Sequence, residues 1–129
     1  MSATSTSPLF VGGVEGAVAK DAVNTAPIAG VGTSYSAGTT PVLTGAINLV
    51  NGQTGQTALA LPVSNPVGSP IVVSNTGAAA ALVFPGAATH QINGTSAGTS
   101  YSVAVGKAVT FWYAGVNLAG VPQWVACGA

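Results

Sequence analysis

The side chains that could carry acid–base, nucleophilic or metal chemistry are few and scattered in this 129-residue chain. They are four charged residues, one histidine and one cysteine: Glu15, Lys20, Asp21, Lys107, His90 and Cys127. An active site needs a nucleophile with a base, a pair of carboxylates, or a set of metal ligands gathered in one cleft. Both carboxylates lie in one short stretch near the N-terminus, far along the chain from the histidine. We therefore expect no enzymatic activity, no cofactor and no metal ion.

Two narrower possibilities remain for the histidine and the cysteine. A small hydrolase would have to pair His90 with Glu15 or Asp21, although the chain has no Gly-x-Ser-x-Gly turn. A single histidine could hold a metal ion only where three copies of the chain meet. The favoured interpretation is a surface or interface histidine that follows the turn at Pro85-Gly86. Cys127 allows no internal disulfide and is interpreted as a small buried thiol.

The charge content excludes several classes of partner. Charged residues make up 3% of the chain, arginine is absent and the formal net charge is zero, whereas an ordinary domain is about 25% charged. No basic patch exists to neutralise phosphates, so we expect neither nucleic acid nor an anionic membrane surface as partner. The apolar runs are too short for a membrane-spanning helix. The first ten residues lack the features of a signal peptide, which predicts synthesis in the cytoplasm.

The same neutrality favours association. A net charge near zero promotes contact between copies of a protein, because no long-range repulsion keeps them apart. The 25 serine and threonine residues can form a polar, hydrated surface without adding charge. This composition is typical of a chain that packs against copies of itself or against a larger assembly.

The pattern along the chain predicts an all-β protein. Valine, isoleucine and threonine total 36 residues, while 18 glycines and 8 prolines interrupt the sequence. Six or seven strands are expected, at 43–50, 57–61, 70–75, 79–84, 99–105, 108–114 and 122–127, with a short pair, Gln91-Ile92, before the turn signal at Asn93-Gly94. Turn signals every 8–12 residues predict a small antiparallel β-sandwich or jelly-roll-like domain over residues 39–129. Gly106-Lys107 fits the loop of a hairpin between two paired strands.

Residues 1–38 are interpreted as an extended N-terminal arm. This stretch is rich in serine, threonine, alanine and glycine and has weak periodicity. A short strand is expected near residues 9–14, and a disordered tail is the alternative. The arm could lie along a larger partner or lend a strand to the sheet edge of a neighbouring copy.

Three consecutive aromatic residues identify one candidate contact. Successive side chains of a strand point to opposite faces. If Phe111 and Tyr113 face the core with Val109, then Trp112 faces outward. An outward tryptophan is either a contact between subunits or a platform on which a sugar stacks, and the contact is favoured here. Trp124, in the last predicted strand, is expected to close the core.

A series of motifs over residues 71–125 resembles the small β-domains of tailed-bacteriophage virion proteins. In those domains a strand ends in an Asn-x-Gly-Ala turn, an apolar strand ends in proline, and an Ile-Asn-Gly motif, a Gly-Lys hairpin and a closing Gln-Trp follow. The corresponding segments here are Asn75-Thr76-Gly77-Ala78, Phe84-Pro85, Ile92-Asn93-Gly94, Val105-Gly106-Lys107 and Gln123-Trp124. With a looser match over residues 43–70, the resemblance covers about the C-terminal two-thirds of the chain and leaves the arm uncovered.

Such domains occur in capsid decoration (cement) proteins, head fibres and tail-fibre segments. The length leaves room for one β-domain and a short arm, which favours a decoration protein. The resemblance then implies a homotrimer on the capsid surface of the virion, bound to the major capsid protein. The candidate residues for the oligomer or capsid interface are Trp112, Tyr35, Leu9 and Phe10. The alternative is a head- or tail-fibre segment, or a receptor- or glycan-binding module that would use Trp112 or Tyr35.

Overall fold

A computed structural model describes residues 26–128 of the protein, and this part of the chain is all-β without a helix. The all-β class expected from the sequence is therefore confirmed. No helix in this range is long and apolar enough to cross a membrane. The described strands are β1 (Ile28–Ala29), β2 (Ile47–Asn51), β3 (Ala58–Ala60), β4 (Pro70–Asn75), β5 (Ala81–Phe84), β6 (Gln91–Ile92), β7 (Tyr101–Val103), β8 (Ala108–Val116) and β9 (Pro122–Gly128).

The strands form two sheets that share one hydrophobic core. The larger sheet has the order β1-β2-β4-β8-β9-β6, and the smaller has the order β3-β5-β7. Both sheets contribute to the core, because alternate side chains on their strands point to the same apolar cluster. Trp124 and Phe111 are the largest fully buried side chains, which confirms that Trp124 closes the core. The remaining core residues are Leu43, Val50, Leu59, Leu61, Ile71, Val73, Ala81, Val83, Ile92, Val103 and Val109.

Both sheets are mixed, so the prediction of an antiparallel arrangement is wrong. The pairs β1–β2, β2–β4, β3–β5 and β6–β9 are parallel, while β4–β8, β8–β9 and β5–β7 are antiparallel. Parallel neighbours need a crossover connection. Here the crossover is a strand of the other sheet: the chain leaves β2, forms β3 in the smaller sheet and returns as β4. Turn signals mark where a strand ends, but they do not show which sheet the next strand joins.

The turn at Gly106-Lys107 illustrates this limit. The Lys107 N–H donates to the carbonyl of Ala104 at 3.1 Å, and Gly106 has φ +76°, so a tight turn forms. The flanking strands are not paired with each other, because β7 pairs with β5 while β8 pairs with β4 and β9. The predicted hairpin is therefore wrong, and the turn instead passes the chain from the smaller sheet to the larger.

One predicted strand, 43–50, is divided between the sheets. Val42 forms a parallel bridge with Ala60, and the Leu43 N–H donates to the Ala60 carbonyl at 2.8 Å, which places this segment on the edge of the smaller sheet. The chain then crosses to the larger sheet and begins β2 at Ile47. In contrast, β4 has the bounds expected from its sequence, since one apolar run between turn signals forms one strand.

Part of the predicted arm lies on the domain. β1 forms an edge of the larger sheet, and the Val31 N–H donates to the Ala58 carbonyl at 3.1 Å. The Tyr35 hydroxyl donates to the Gly86 carbonyl at 3.3 Å. Residues 26–38 are thus tied to both sheets, and the predicted boundary at residue 38 does not separate them from the domain. The strand expected at 9–14, with Leu9 and Phe10, lies outside the described residues.

The strand directions define two ends of the molecule. We call one the Asn75 end; it comprises the turns at 52–57, 76–80 and 104–107. We call the other the Leu118 end; it comprises the loops at 62–69 and 85–90 and the β8–β9 turn at 117–121. Register supports this division, because β4 ends and β8 begins at the Asn75 end, while β8 ends and β9 begins at the Leu118 end.

Candidate interaction surfaces

Trp112 lies on the face of the larger sheet that points away from the core. Its neighbour Phe111 is fully buried, as is Val109 two residues earlier, whereas Trp112 is half-buried on the opposite side. Strand pairing sets Trp112 between Pro70 of β4 and Val125 of β9. The expected outward orientation is therefore observed, and its role in an interface stays a prediction.

The register of four strands defines a continuous outer face around Trp112. Residues directly opposite each other on paired strands share a face of the sheet. The first row is Pro70, Trp112 and Val125; the second is Ile47, Val72, Thr110 and Cys127; the third is Leu49, Ser74 and Ala108. We call these ten residues the outer face.

The outer face is unusually apolar for a surface that no other strand of residues 26–128 covers. A sheet with one solvated face normally alternates apolar and polar residues along each strand. Here Ile47 and Val125 are 41% and 44% exposed, and no residue of the face carries a formal charge. Four strands about 4.8 Å apart and three rows of side chains span on the order of 400 Å². The largest apolar patch on a typical monomer covers about 300–600 Å² and is often functional, so the outer face is a candidate site of interaction.

Tyr35 is not part of the outer face, so the structure does not bring the two described candidates together. The ring of Tyr35 packs against Phe84 of the smaller sheet, with centroids 6.2 Å apart. These rings line a cavity of about 270 Å³ together with Pro85, Ala87, Ala88, Ser34 and Gly98. We call it the Tyr35 cavity. Its lining is mainly apolar and contains no charged side chain.

The Leu118 end carries exposed apolar side chains that the sequence reading missed. Leu118 is fully exposed, at 109% of the reference area, and Val63, Val67 and Val116 are also exposed. Val67 lies beside β8, since a Cβ built on Gly115 would be 3.9 Å from Val67 Cγ2, and Val63 lies beside the 85–90 loop, since a Cβ built on Gly86 would be 2.7 Å from Val63 Cα. A leucine inside an Asn-x-x-Gly turn was the available signal, because turn positions normally carry polar residues.

His90 was expected at the surface or an interface and Cys127 in the interior, and the structure shows the reverse for both. His90 is only 7% exposed, and its Nδ1 has no hydrogen-bond partner among the described residues. Burial lowers the pKa of the His90 imidazole from its usual 6.5, because desolvation disfavours the charged form. Cys127 is exposed. The reason is strand parity: with Trp124 facing inward, the thiol three positions later on β9 faces out.

The described residues offer little for catalysis or metal binding. Within 26–128 there is no group of three or more His, Cys, Asp or Glu side chains placed to hold a metal ion. Lys107, at the Asn75 end, is the one formally charged side chain of this range, because Glu15, Lys20 and Asp21 lie outside it. Shape and apolar surface are what this part of the molecule presents.

No protein-family model, no curated protein and no solved structure matches the chain. The functional argument that follows is built on the outer face, the Tyr35 cavity and the Leu118 end.

Proposed function

We propose that this protein is a structural component of a bacteriophage virion: a capsid decoration (cement) protein that binds the capsid lattice as a homo-oligomer, with a trimer expected, and stabilises the head. The observation that carries the proposal is the outer face, an uncharged apolar surface built on rigid strands. The resemblance of residues 71–125 to virion β-domains supports the choice of partner, the major capsid protein.

The stabilising effect would follow from mass action. A protein that binds neighbouring capsid subunits adds binding free energy that exists only while the lattice is assembled. That free energy favours the intact shell over its dissociated subunits, without any chemical step. A neutral binder suits this role, since it can occupy many adjacent sites without charge repulsion between its copies.

The size of the outer face explains why an oligomer is expected. A stable interface of standard size buries about 800 Å² on each partner, roughly twice the area of this face. Loss of translational and rotational freedom costs about 4–15 kcal/mol, so one copy on its own would bind weakly. Linking several copies makes the later contacts intramolecular and raises the overall affinity by about 10²–10⁴.

We include in this proposal that the domain is a β-sandwich. Two sheets that both supply side chains to one core have the layered arrangement of a β-sandwich. We interpret the domain in this way, with the outer face of the larger sheet as the layer left for the capsid. This interpretation makes the same prediction as the functional one: the outer face stays uncovered by this chain's own residues.

The sharpest test of the interface is Trp112→Ala, measured as binding to capsids from which the protein has been removed. Loss of a central interface tryptophan costs about 2 kcal/mol or more, which is about 30-fold in the affinity of a single site. Val31→Ala is the matched control, because Val31 is exposed but lies off the outer face. Equal binding of Trp112→Ala and wild type would contradict the assignment.

Cys127 provides an independent readout of the same face. Its exposed thiol should react with a maleimide in the free protein and be protected on the capsid. Binding should change little between about 50 and 500 mM salt, because Lys107 is the only described charge. A steep loss of binding with salt, or a thiol that stays reactive on the capsid, would argue against an apolar outer-face contact.

A fibre segment or glycan-binding module is the alternative, favoured by one observation. Gln123, on the outward side of β9, donates from its side-chain amide to Gln91, so hydrogen-bonding groups lie on the same side as Trp112. An aromatic ring with neighbouring amides can hold a sugar. Counting copies in intact virions by quantitative mass spectrometry separates the roles: hundreds indicate decoration, and a few to a few dozen indicate a fibre or tail position. Glycan binding without capsid affinity would support the alternative.

A further inference from the structure

The turn at 117–121, which we call the Leu118 turn, has a hydrogen-bonded backbone that carries the Leu118 side chain into solvent. The Asn117 N–H donates to the Val121 carbonyl at 3.0 Å, and the Gly120 N–H donates to the Asn117 carbonyl at 2.9 Å. Asn117 Oδ1 also accepts from the N–H groups of Ala119 and Val121, at 2.9 and 3.0 Å. A contact made by such a turn loses little conformational entropy, because the turn is already ordered.

Leu118 is not covered by any other part of residues 26–128. Its side chain is fully exposed, and burying a leucine contributes about 1.5–3 kcal/mol. The exposed Val116 and Val67 next to the turn enlarge the apolar surface. The position of Leu118 therefore favours insertion into an apolar recess of another molecule.

The Tyr35 cavity has the size and chemistry of such a recess. Its volume of about 270 Å³ exceeds that of a cavity of about 150 Å³ able to hold benzene, so a leucine side chain fits. Phe84 and Pro85 supply apolar walls, and the hydroxyl of Tyr35 is occupied by its bond to Gly86. Gly98 allows the close approach of two loops, since a Cβ there would lie 2.9 Å from the Ala88 carbonyl oxygen.

We propose that Leu118 of one copy inserts into the Tyr35 cavity of a second copy. The inference deepens the proposed function, and rests on it, by assigning the contact that makes the homo-oligomer. A second copy is the favoured occupant because neither surface carries a charge, so like surfaces meet without repulsion. The chain supplies protrusion and recess in equal numbers, and the fully exposed Leu118 cannot fill its own copy's cavity in this fold.

The predicted contact joins two different surfaces of the chain, and it is heterologous when each pair of copies makes it in one direction only. Heterologous contacts close into rings or continue as open filaments, depending on the rotation between copies. A ring of three copies would match the expected trimer. The contact uses Leu118 and a cavity whose lining includes Pro85, Ala87 and Ala88 of the same Leu118 end, so the outer face stays free for the capsid.

The first experiment compares association of the full-length protein by sedimentation velocity over a range of concentrations. Leu118→Ser should weaken association at least tenfold. Val105→Ser, which changes an exposed valine at the Asn75 end, should leave it unchanged. Wild-type protein that sediments as a single chain at every concentration, or Leu118→Ser protein that associates like wild type, would overturn the inference.

The second experiment tests the pairing directly by disulfide trapping in a Cys127→Ser background. Chains with Leu118→Cys are mixed with chains carrying Ala88→Cys at the cavity, under mild oxidation. Mixed dimers should dominate, because the contact joins unlike surfaces. Equal or greater yield of dimers from Leu118→Cys chains alone would rule out the proposed pairing.

The two proposals fail in different ways. If Leu118→Ser associates normally while Trp112→Ala loses capsid binding, the copy-to-copy contact is wrong and the decoration role stands. If mixed disulfides form in solution but wild-type protein does not bind capsids, the copy-to-copy contact stands and the decoration role is wrong.

Discussion

The two ends of the molecule use their polar groups in opposite ways. At the Asn75 end, one buried amide connects segments from both sheets and satisfies their backbone groups. At the Leu118 end, a polar side chain instead organises a turn that places a leucine in solvent. The first arrangement stabilises the fold from within, whereas the second leaves apolar surface that only another molecule can bury.

Asn75 makes four hydrogen bonds through its side chain, to the turns at 52–57 and 76–80 and to β7. Its Oδ1 accepts from the N–H groups of Gly52 and Gly77 at 3.2 and 2.9 Å. Its Nδ2 donates to the carbonyls of Ala79 and Val103 at 2.8 and 3.0 Å. Because the residue is 1% exposed, these four backbone groups would line a buried cavity if the side chain were lost. Buried polar groups left without partners cost free energy, so this amide is a structural requirement.

The comparison shows which groups stabilise the fold and which groups favour association in a chain with almost no charge. Ion pairs are not available to the described residues, so backbone groups and amides carry the polar part of the stability. Association in turn depends on exposed apolar groups such as Leu118 and the outer face. Substitutions at the two ends should therefore separate folding from assembly.

The largest effect is expected for Asn75→Ala. The substitution leaves two N–H groups and two carbonyls without their partner, and we expect a loss of about 3–5 kcal/mol in the free energy of unfolding. Asn65→Ala is the control, since Asn65 is half-buried and donates to the Ser69 carbonyl in a loop of the other end. Urea denaturation measures both. A loss below about 1 kcal/mol for Asn75→Ala would remove the contrast between the ends.

A smaller but clear effect is expected for Gly77→Ala. A Cβ at this position would meet the backbone oxygen and nitrogen of Gly52 and lie 2.6 Å from Asn51 Oδ1. These backbone atoms cannot move without disturbing the Asn75 bonds, so we expect about 2–3 kcal/mol of destabilisation. Gly120→Ala, in the open Leu118 turn with φ +81°, has only backbone strain to bear. Thermal unfolding should rank Gly77→Ala as the less stable of the two.

Leu118→Ser should have the opposite effect to Asn75→Ala: it should weaken association but leave the stability of the isolated chain almost unchanged. Because the side chain is fully exposed on the described part of the chain, the free energy of unfolding of the isolated chain should change by less than about 0.5 kcal/mol. The measurement is urea denaturation at a concentration too low for association. A loss comparable to that of a core substitution would mean that Leu118 supports the fold itself.

The last effect is the pH dependence of stability that comes from His90. Since burial lowers its folded-state pKa below the usual 6.5, the unfolded chain takes up a proton first as the pH falls. Stability should therefore be constant above about pH 6.5 and decrease below it, by less than about 1.4 kcal/mol per pH unit. His90→Leu should flatten this part of the curve between pH 7 and 5. A wild-type Tm that rises on acidification would contradict the sign.

Local features of the fold were predictable because they depend on one strand at a time. The alternation that orients Trp112 outward and Phe111 inward needs only the geometry of β8, and the burial of Trp124 follows from the same rule in β9. The bounds of β4 follow from an apolar run between turn residues. The outer face could be predicted from the sequence only in part. Its rows depend on which strands are neighbours in the sheet, and the sequence pattern does not show that.

What the sequence by itself determined is the all-β class, the positions of most strands and turns, and a nearly uncharged surface. Only the tertiary structure decided that the sheets are mixed, that His90 is buried and Cys127 exposed, and that Tyr35 lines a cavity. The physical reason is the distance along the chain over which each kind of interaction acts. Strand parity and turn chemistry act over a few residues, whereas sheet membership depends on contacts between distant segments, such as Gln91 of β6 with Gln123 of β9.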